Sequence, residues 1–371
     1  MTVVALSAFF VILYTYAGYP LLVALLARFA PRVSSSRADF EPMISVCMAV
    51  HNGAKPLAAK IESLNALSYP REKLEILVYS DGSTDDTEAV ARACAASDAR
   101  VRVFSDAVRR GKPAALNRLR AEARGDVLIM TDVRQPLASN AVRSLLDLLS
   151  DPNVGCVSGS LVLQGNTGAS AYWRYEKFIR VAEARLGSMV GVSGSLYAVR
   201  RADFGELPSE TLLDDMFVPL SIARSKKRIV FSSEAEAYDE AYEDDREFGR
   251  KVRTLAGNYQ LLALMPWLLV PGRNPVWFQL FSHKLLRLVC PWALALLFVS
   301  SLALASVPHT SPLTLAFWRT LALGQVAFYG LALFGARAGR IGSLARTFVV
   351  LNAAALVGLW RFARGSQAVT W

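Results

Sequence analysis

The sequence predicts an α/β domain, a mostly parallel sheet with helices on both faces, carried between N-terminal and C-terminal transmembrane helices. Three observations predict it. Hydrophobic residues make up 53% of the 371 positions and charged ones only 19%. That is too apolar for an ordinary soluble chain and too charged for one lying wholly in lipid. The apolar excess sits at the two ends. The stretch between them alternates β-branched runs with helical periods, the pattern of a parallel sheet covered on both sides.

Residues 3–27 carry no charge, a length sufficient to cross a bilayer. The run exceeds the apolar core of about 7–15 residues in a secretory signal. No basic residue precedes it and no small-residue cleavage site follows. An uncleaved anchor over 1–32 is expected, with Arg28 and Arg32 on the cytoplasmic side. Residues 288–307 form a second uncharged run, entered from His283, Lys284 and Arg287. Residues 313–334 form a third, broken only by Arg319 and followed by Arg337 and Arg340. A shorter candidate, 347–360, lies between Arg346 and Arg361. A full crossing there puts Arg361 and Arg364 outside, against the positive-inside rule, so crossing, re-entrant and interfacial placements stay open within a C-terminal membrane region 288–371.

Ahead of that region, Pro266, Pro271 and Pro275 interrupt 263–287 too often for a simple crossing helix. Trp267, Trp277 and Phe278 beside arginines predict an interfacial amphipathic segment in the headgroup layer. The alternative is a buried connector.

The polar middle, 40–262, is expected to be a cytosolic domain. Strands are predicted at 44–50, 73–80, 100–105, 126–131 and 154–163. Helices are predicted at 58–67, 85–96, 112–123 and 139–150, the second entered through the cap-like Asp81-Gly82-Ser83-Thr84. Ligands of such sheets bind beyond the carboxyl ends of the strands. His51-Asn52 follows the first strand, Asp81 the second and Asp132 the fourth. Singly, either acid could cap a helix; together on one sheet edge they suit a metal or a sugar hydroxyl.

Other classes are excluded by what is missing. The first strand has no GxGxxG after it, residues 110–113 lack P-loop spacing, and 191–195 (GVSGS) is not a GxSxG elbow. Cys47, Cys94, Cys156 and Cys290 show no CxxC spacing, and three scattered histidines suggest no zinc site. Net charge is +10, which suits an anionic membrane face or ligand. The middle lacks the interleaved aromatic and basic surface of a single-strand nucleic-acid binder, so no nucleic acid is expected.

Seven segments in order complete the reading: AVHNG (49–53), SDGSTDDT (80–87), RRGKPAALN (109–117), TDVRQ (131–135), GVSGSLYAVRR (191–201), LLDDMFVP (212–219) and RKVRTLAGNYQ (250–260). The set resembles the membrane-bound family 2 glycosyltransferases, inverting enzymes of the GT-A fold. The likeness covers nearly all of 43–260, and the membrane pattern looks like the branch that builds bacterial cell-surface polysaccharides or glycolipids. The resemblance implies sugar transfer from a nucleotide-sugar, by family habit a UDP-sugar. The implied acceptor is a lipid-linked or polysaccharide glycan at the cytoplasmic face of the inner (plasma) membrane, with a polysaccharide assembly complex as a further partner.

It also implies roles. Asn52 and Asp81 match positions that hold base and ribose, and Lys112 matches the basic residue near the donor. Asp132 stands first in the family's DxD motif, which holds ribose and a divalent cation, Mg²⁺ or Mn²⁺. Asp215 matches the general base and Arg253 the diphosphate-contacting arginine. Gly194, Asp214 and Arg250 are expected in the acceptor region or pocket. Departures are clear too. Arg134 replaces the second acid of DxD, so either Asp132 alone serves the metal or Arg134 partly replaces its charge. Gly53 stands where many relatives have Glu. Arg250 and Thr254 replace the glutamine and tryptophan of QxxRW, which favours single-sugar transfer over a processive synthase. A catalytically silent nucleotide-sugar-binding scaffold is the remaining alternative.

Overall fold

The computed structural model describes residues 1–30, 40–164, 168–240, 245–308 and 311–370. The end of the expected anchor, 31–32, lies outside them. Helices α1 (Thr2–Leu13) and α2 (Tyr19–Phe29) join through a π turn into one apolar helix, Thr2–Phe29. The α/β domain follows with seven strands: β1 (Ile44–Val50), β2 (Leu74–Asp81), β3 (Val101–Asp106), β4 (Val127–Thr131), β5 (Val154–Gln164), β6 (Leu196–Arg200) and β7 (Arg228–Glu240). Their order in the sheet is β3-β2-β1-β4-β6-β5-β7. Strands β1 to β4 are parallel, β6 runs antiparallel to both β4 and β5, and β7 is parallel to β5.

Helices cover both faces because the strands alternate their side chains between two cores. On one face Ile44, Val46 and Met48 of β1 meet Leu57 and Ile61 of α3 (Ala54–Asn65), Ala91 of α4 (Thr87–Ser97) and Leu145 of α6 (Ala141–Leu149). On the other, Cys47, Leu77 and Leu128 meet Leu116 and Leu119 of α5 (Lys112–Glu122) and Val218 and Leu220 of α8 (Asp214–Arg224). The expected strands and helices are present within a few residues of their predicted bounds. The antiparallel β6 and the long β7 are additions. β6 carries only a short apolar run of four residues, and β7 is broken by polar ones.

Helix α7 (Gly168–Leu186) packs against α2 through Ile179 and Ala182. A buried polar cluster strengthens that seam. His283 lies 2.8 Å from Glu183 and 3.2 Å from Glu176, Tyr19 donates to Glu183 at 2.5 Å, and Arg287 pairs with Glu176. One charged network thus links the N-terminal helix, α7 and the helix that leads into the C-terminal region. Buried charges need such partners.

Helix α9 (Asp245–Leu264) follows β7. Within 263–287, Met265 and Leu268 enter the domain core while Leu269, Val270, Phe278 and Phe281 face outward. The second apolar helix begins earlier than its uncharged run at 288. It starts with α10 (Trp277–Gln279) and continues through a π turn into α11 (Leu286–Ser306), giving Trp277–Ser306. The reason is that Lys284, His283 and Arg287 are satisfied by α7 instead of ending the helix. Helices α12 (Pro312–Phe334) and α13 (Gly339–Ala363) complete the chain, and Pro312–Ala363 is the third stretch long and apolar enough to cross a membrane. The candidate 347–360 lies inside α13, whose Phe348 meets Tyr16 of the π turn between α1 and α2 and Phe328 of α12. Its later turns rest on α9: a Cβ on Gly358 would come within 2.9 Å of the Ala256 nitrogen.

Candidate active site

The carboxyl edges of β1, β2 and β4 meet the first turns of α5 and α8. Asn52 ends β1 in the left-handed region, φ 51°, a conformation asparagine tolerates better than most residues. Its Oδ1 accepts from the Thr84 amide at 2.8 Å and its own amide donates to Ser83 Oγ at 3.1 Å. The two strand-end loops are thereby tied together.

Asp81 is fully buried. Its carboxylate accepts the backbone amides of Arg110 at 2.6 Å and Gly111 at 2.9 Å. It does not cap α4; Asp85 serves there, accepting from the Thr87 amide at 3.0 Å. Asp81 therefore shapes the 109–111 loop from beneath. Gly111, φ 91°, turns that loop into α5.

Lys112 opens α5 and stands at the centre of the acidic residues. Its ammonium lies 3.2 Å from Asp132 Oδ1 and 3.3 Å from Asp214 Oδ2. Burial works against its charge, but Asp132, Asp214 and Asp215 hold the ammonium pKa above its ordinary value. Asp214 and Asp215 occupy the first turn of α8, where the helix dipole favours anions. Asp215 is only partly covered. Burial and then the charge of Asp214 push its carboxyl up, and Lys112 and Arg180 offset part of that, leaving it at about 6. A carboxylate of this kind is ionised at neutral pH yet basic enough to accept a proton. The antiparallel β6 brings Gly194 alongside, where a Cβ would stand 3.7 Å from Asp215 Oδ2 and 3.8 Å from Lys112 Nζ.

Asp132 is open to solvent, its side chain 39% exposed. Arg134 turns from it toward Asp239, 3.6 Å away, which also accepts from Gln135 at 2.6 Å. Among the described residues no group of three metal-ligating side chains forms. At this site Asp132 would offer a hard cation a partly exposed carboxylate, which suits an ion whose other oxygen ligands come from donor and water.

Arg253, on α9, carries its charge near Asp214 and Asp215, and burial lowers its pKa. Its guanidinium donates to the carbonyls of Thr370 at 3.0 Å and Val369 at 2.9 Å. A Cβ on Gly111 would meet Val369 Cγ1 at 3.5 Å, so the tail after α13 lies across the mouth of the site. Arg250 lies apart from the acids, on the wall of a neighbouring cavity that it shares with Thr254.

The sequence reading missed three contributors. Lys60 is buried under the β4 end, donating to Thr131 Oγ1 at 2.7 Å and the Gln135 carbonyl at 2.5 Å, and burial brings it down to about 7. Its only signal was a lysine on the apolar face of a helix. Arg180 on α7 shares a small cavity with Asp215 and bears on its charge without pairing with it, and the tail carbonyls hold Arg253; neither had any local signal.

Residues 45–207 match the family described as Glycosyl transferase family 2. Glycosyltransferase AglE of Haloferax volcanii is 25% identical over 137 residues, 37% of this chain and 45% of its own. The probable glycosyltransferase YdaM of Bacillus subtilis is 24% identical over 256 residues, 65% of this chain and 61% of its own. A beta-monoglucosyldiacylglycerol synthase of Nostoc is 24% identical over 186 residues, 47% of this chain and 40% of its own. The matched parts thus span about half the length of these relatives. Among solved structures, mannosyltransferase PcManGT from Pyrobaculum calidifontis, in complex with GDP-Man and Mn2+, superposes with TM-score 0.78 at 22% identity. That match covers 97% of this chain and 98% of the other, so the two share a fold nearly end to end. The motif series, the GT-A sheet and the family match agree, so residues 45–207 form a family 2 glycosyltransferase domain.

Proposed function

We propose that the protein is an inverting enzyme that moves one sugar from a nucleotide-sugar to a lipid-linked or polysaccharide acceptor at the cytoplasmic membrane face. The observation that carries this reading is the gathering of Asp132, Asp214 and Asp215 around Lys112, close to Arg253, at the C-terminal edge of a GT-A sheet. In the proposed step an acceptor hydroxyl attacks the anomeric carbon from the face opposite the diphosphate. The new C–O bond forms as the bond to the phosphate oxygen breaks and its electron pair leaves with the diphosphate. Asp215 takes the hydroxyl proton. Lys112 and Arg253 stabilise the departing charge most strongly in the transition state. Asn52, Asp81 and the 109–111 loop shape the nucleotide end, and Gly194 leaves room beside the base.

Asp132 would hold a divalent cation together with the donor's diphosphate. When bound, such an ion supplies Lewis-acid stabilisation of the leaving group. The GDP-Man and Mn2+ in PcManGT support a nucleotide-sugar and a divalent ion here. The glycolipid synthases among the relatives support a lipid acceptor. We further propose residues 40–262 as the cytosolic domain, 263–276 as interfacial, and 1–32 and the region from Trp277 onward as the parts that meet the membrane in a multi-pass inner-membrane protein.

The test is release of nucleoside diphosphate by the purified full chain, given UDP- or GDP-sugars, Mn²⁺ and lipid-linked saccharide. Asp215→Asn is expected to lower turnover by about 10²-fold or more, the scale of general acid–base catalysis. Unchanged turnover in that variant overturns the reading.

A further inference from the structure

A cavity of about 460 Å³ lies between α7, α9, β5 and α13. A smaller one of about 80 Å³ reaches from it to Asp215. Arg180, Thr254, Asn258 and Lys284 line both, so a path runs from the candidate base toward the apolar helices. The large cavity has two kinds of wall. Leu161, Leu163, Leu255, Leu351 and Trp173 form the apolar one. Arg180, Arg250, Lys251, Lys284 and Arg287 form the other.

Carboxylates line it as well, but most are already engaged. Glu176 pairs with Arg287 and lies 3.5 Å from Lys284, and Asp239 is held by Arg134 and Gln135. Glu240 has neighbours of its own. Among the described residues Arg180 and Arg250 have no ion-pair partner; the guanidinium of Arg180 rests 5.2 Å over the Trp173 ring. Two guanidinium groups in one half-apolar cavity match a phosphate, which arginine binds through paired hydrogen bonds. The volume suits a headgroup, not a pair of tails.

Resting on the reading of Asp215 as base, we infer that this cavity is the acceptor subsite. Its occupant is a lipid that carries a phosphate between its apolar tail and a hydroxyl-bearing head. The phosphate sits at Arg180 and Arg250, the hydroxyl points along Thr254 and Asn258 to Asp215, and the tail leaves past Leu351 toward the apolar helices. An uncharged glycerolipid would leave both guanidinium groups unmatched in a partly desolvated space.

The full chain in neutral detergent micelles is to be examined by native mass spectrometry with phosphatidylglycerol, with diacylglycerol of the same acyl chains, and with free glycerol 3-phosphate as competitor. Phosphatidylglycerol is expected to be retained about tenfold better than diacylglycerol, one decade of affinity. The double substitution Arg180→Gln with Arg250→Gln is expected to erase that preference, and Asp215→Asn to keep it. Should the Arg180 change prevent folding, Arg250→Gln alone, at an exposed position, is expected to reduce the preference about threefold. Equal retention of the two lipids, a preference that the substitutions leave intact, or displacement by equimolar glycerol 3-phosphate overturns the inference. Turnover of Asp215→Asn is read separately, so a failure of the catalytic assignment is distinguishable from a failure of the lipid assignment.

Discussion

The Lys112 ammonium lies 3.3 Å from the Asp214 carboxylate, joining the first turn of α5 to the first turn of α8. Its second contact, with Asp132 at 3.2 Å, draws the end of β4 into the same point. Two acids are bridged by one cation whose charge also bears on a third, Asp215. Lys112→Met removes it, so the Asp215 carboxyl should rise further and donor turnover fall by about 10²-fold. The check is kcat against pH for the variant: its acid limb should move to higher pH than in the parent. A limb that stays put means that Lys112 does not govern the base.

Asp215 itself gives a pH dependence whose sign is fixed. With its carboxyl raised to about 6, activity needs the ionised form, so kcat/KM should fall as pH drops through about 6. The stability effect runs the other way. A carboxyl raised in the folded state favours folding at low pH, and that contribution is lost as pH rises through about 6. Asp215→Asn should therefore raise the thermal midpoint at pH 7.5 and change it little at pH 4. An activity profile flat from pH 5 to 8 would contradict the assignment.

Arg253 is held by the carbonyls of Val369 and Thr370, which a diphosphate must replace to reach it. Deleting 366–371 should lower the donor KM by about tenfold, the worth of one charge-assisted hydrogen bond near 1.4 kcal/mol. Isothermal titration with the donor or its nucleoside diphosphate is the direct measurement. Weaker binding after deletion would mean that the tail completes the donor site.

Gly82 has φ 58°, and a Cβ there would lie 2.5 Å from the Arg109 backbone nitrogen. Backbone cannot yield as a side-chain tip can. Gly82→Ala should destabilise the domain by about 2 kcal/mol or more and loosen the 109–111 loop above Asp81. Both a lowered melting temperature and a raised donor KM are expected; a variant with parental values of each refutes this account of the loop.

Chelation supplies the last test. Because Asp132 offers a partly exposed carboxylate at this site, EDTA should stop transfer and Mn²⁺ restore it. Asp132→Asn should raise the Mn²⁺ concentration needed for half activity by about tenfold or more. Full turnover in EDTA would remove the metal from the proposal.

Local sequence determined much of this protein. Period-two and helical patterns located β1 to β5 and the helices between them, since those patterns follow from how a strand or helix presents its own side chains. The same patterns put Asn52, Asp81 and Asp132 at strand ends, because a parallel sheet with crossover helices aligns the carboxyl edges of those strands. The uncharged runs marked the apolar helices for the same reason, each being a property of neighbouring residues. Tertiary structure alone decided which charges meet. Arg253 binds carbonyls more than a hundred residues away, Arg134 leaves the Asp132 site for Asp239, and Arg180 comes to share a cavity with Asp215 from a helix that also packs on α2. The antiparallel β6, which sets Gly194 beside Asp215, depended on its neighbours in the sheet and not on its own five residues. Such pairings are fixed by how whole elements pack, and no short window of sequence contains both partners.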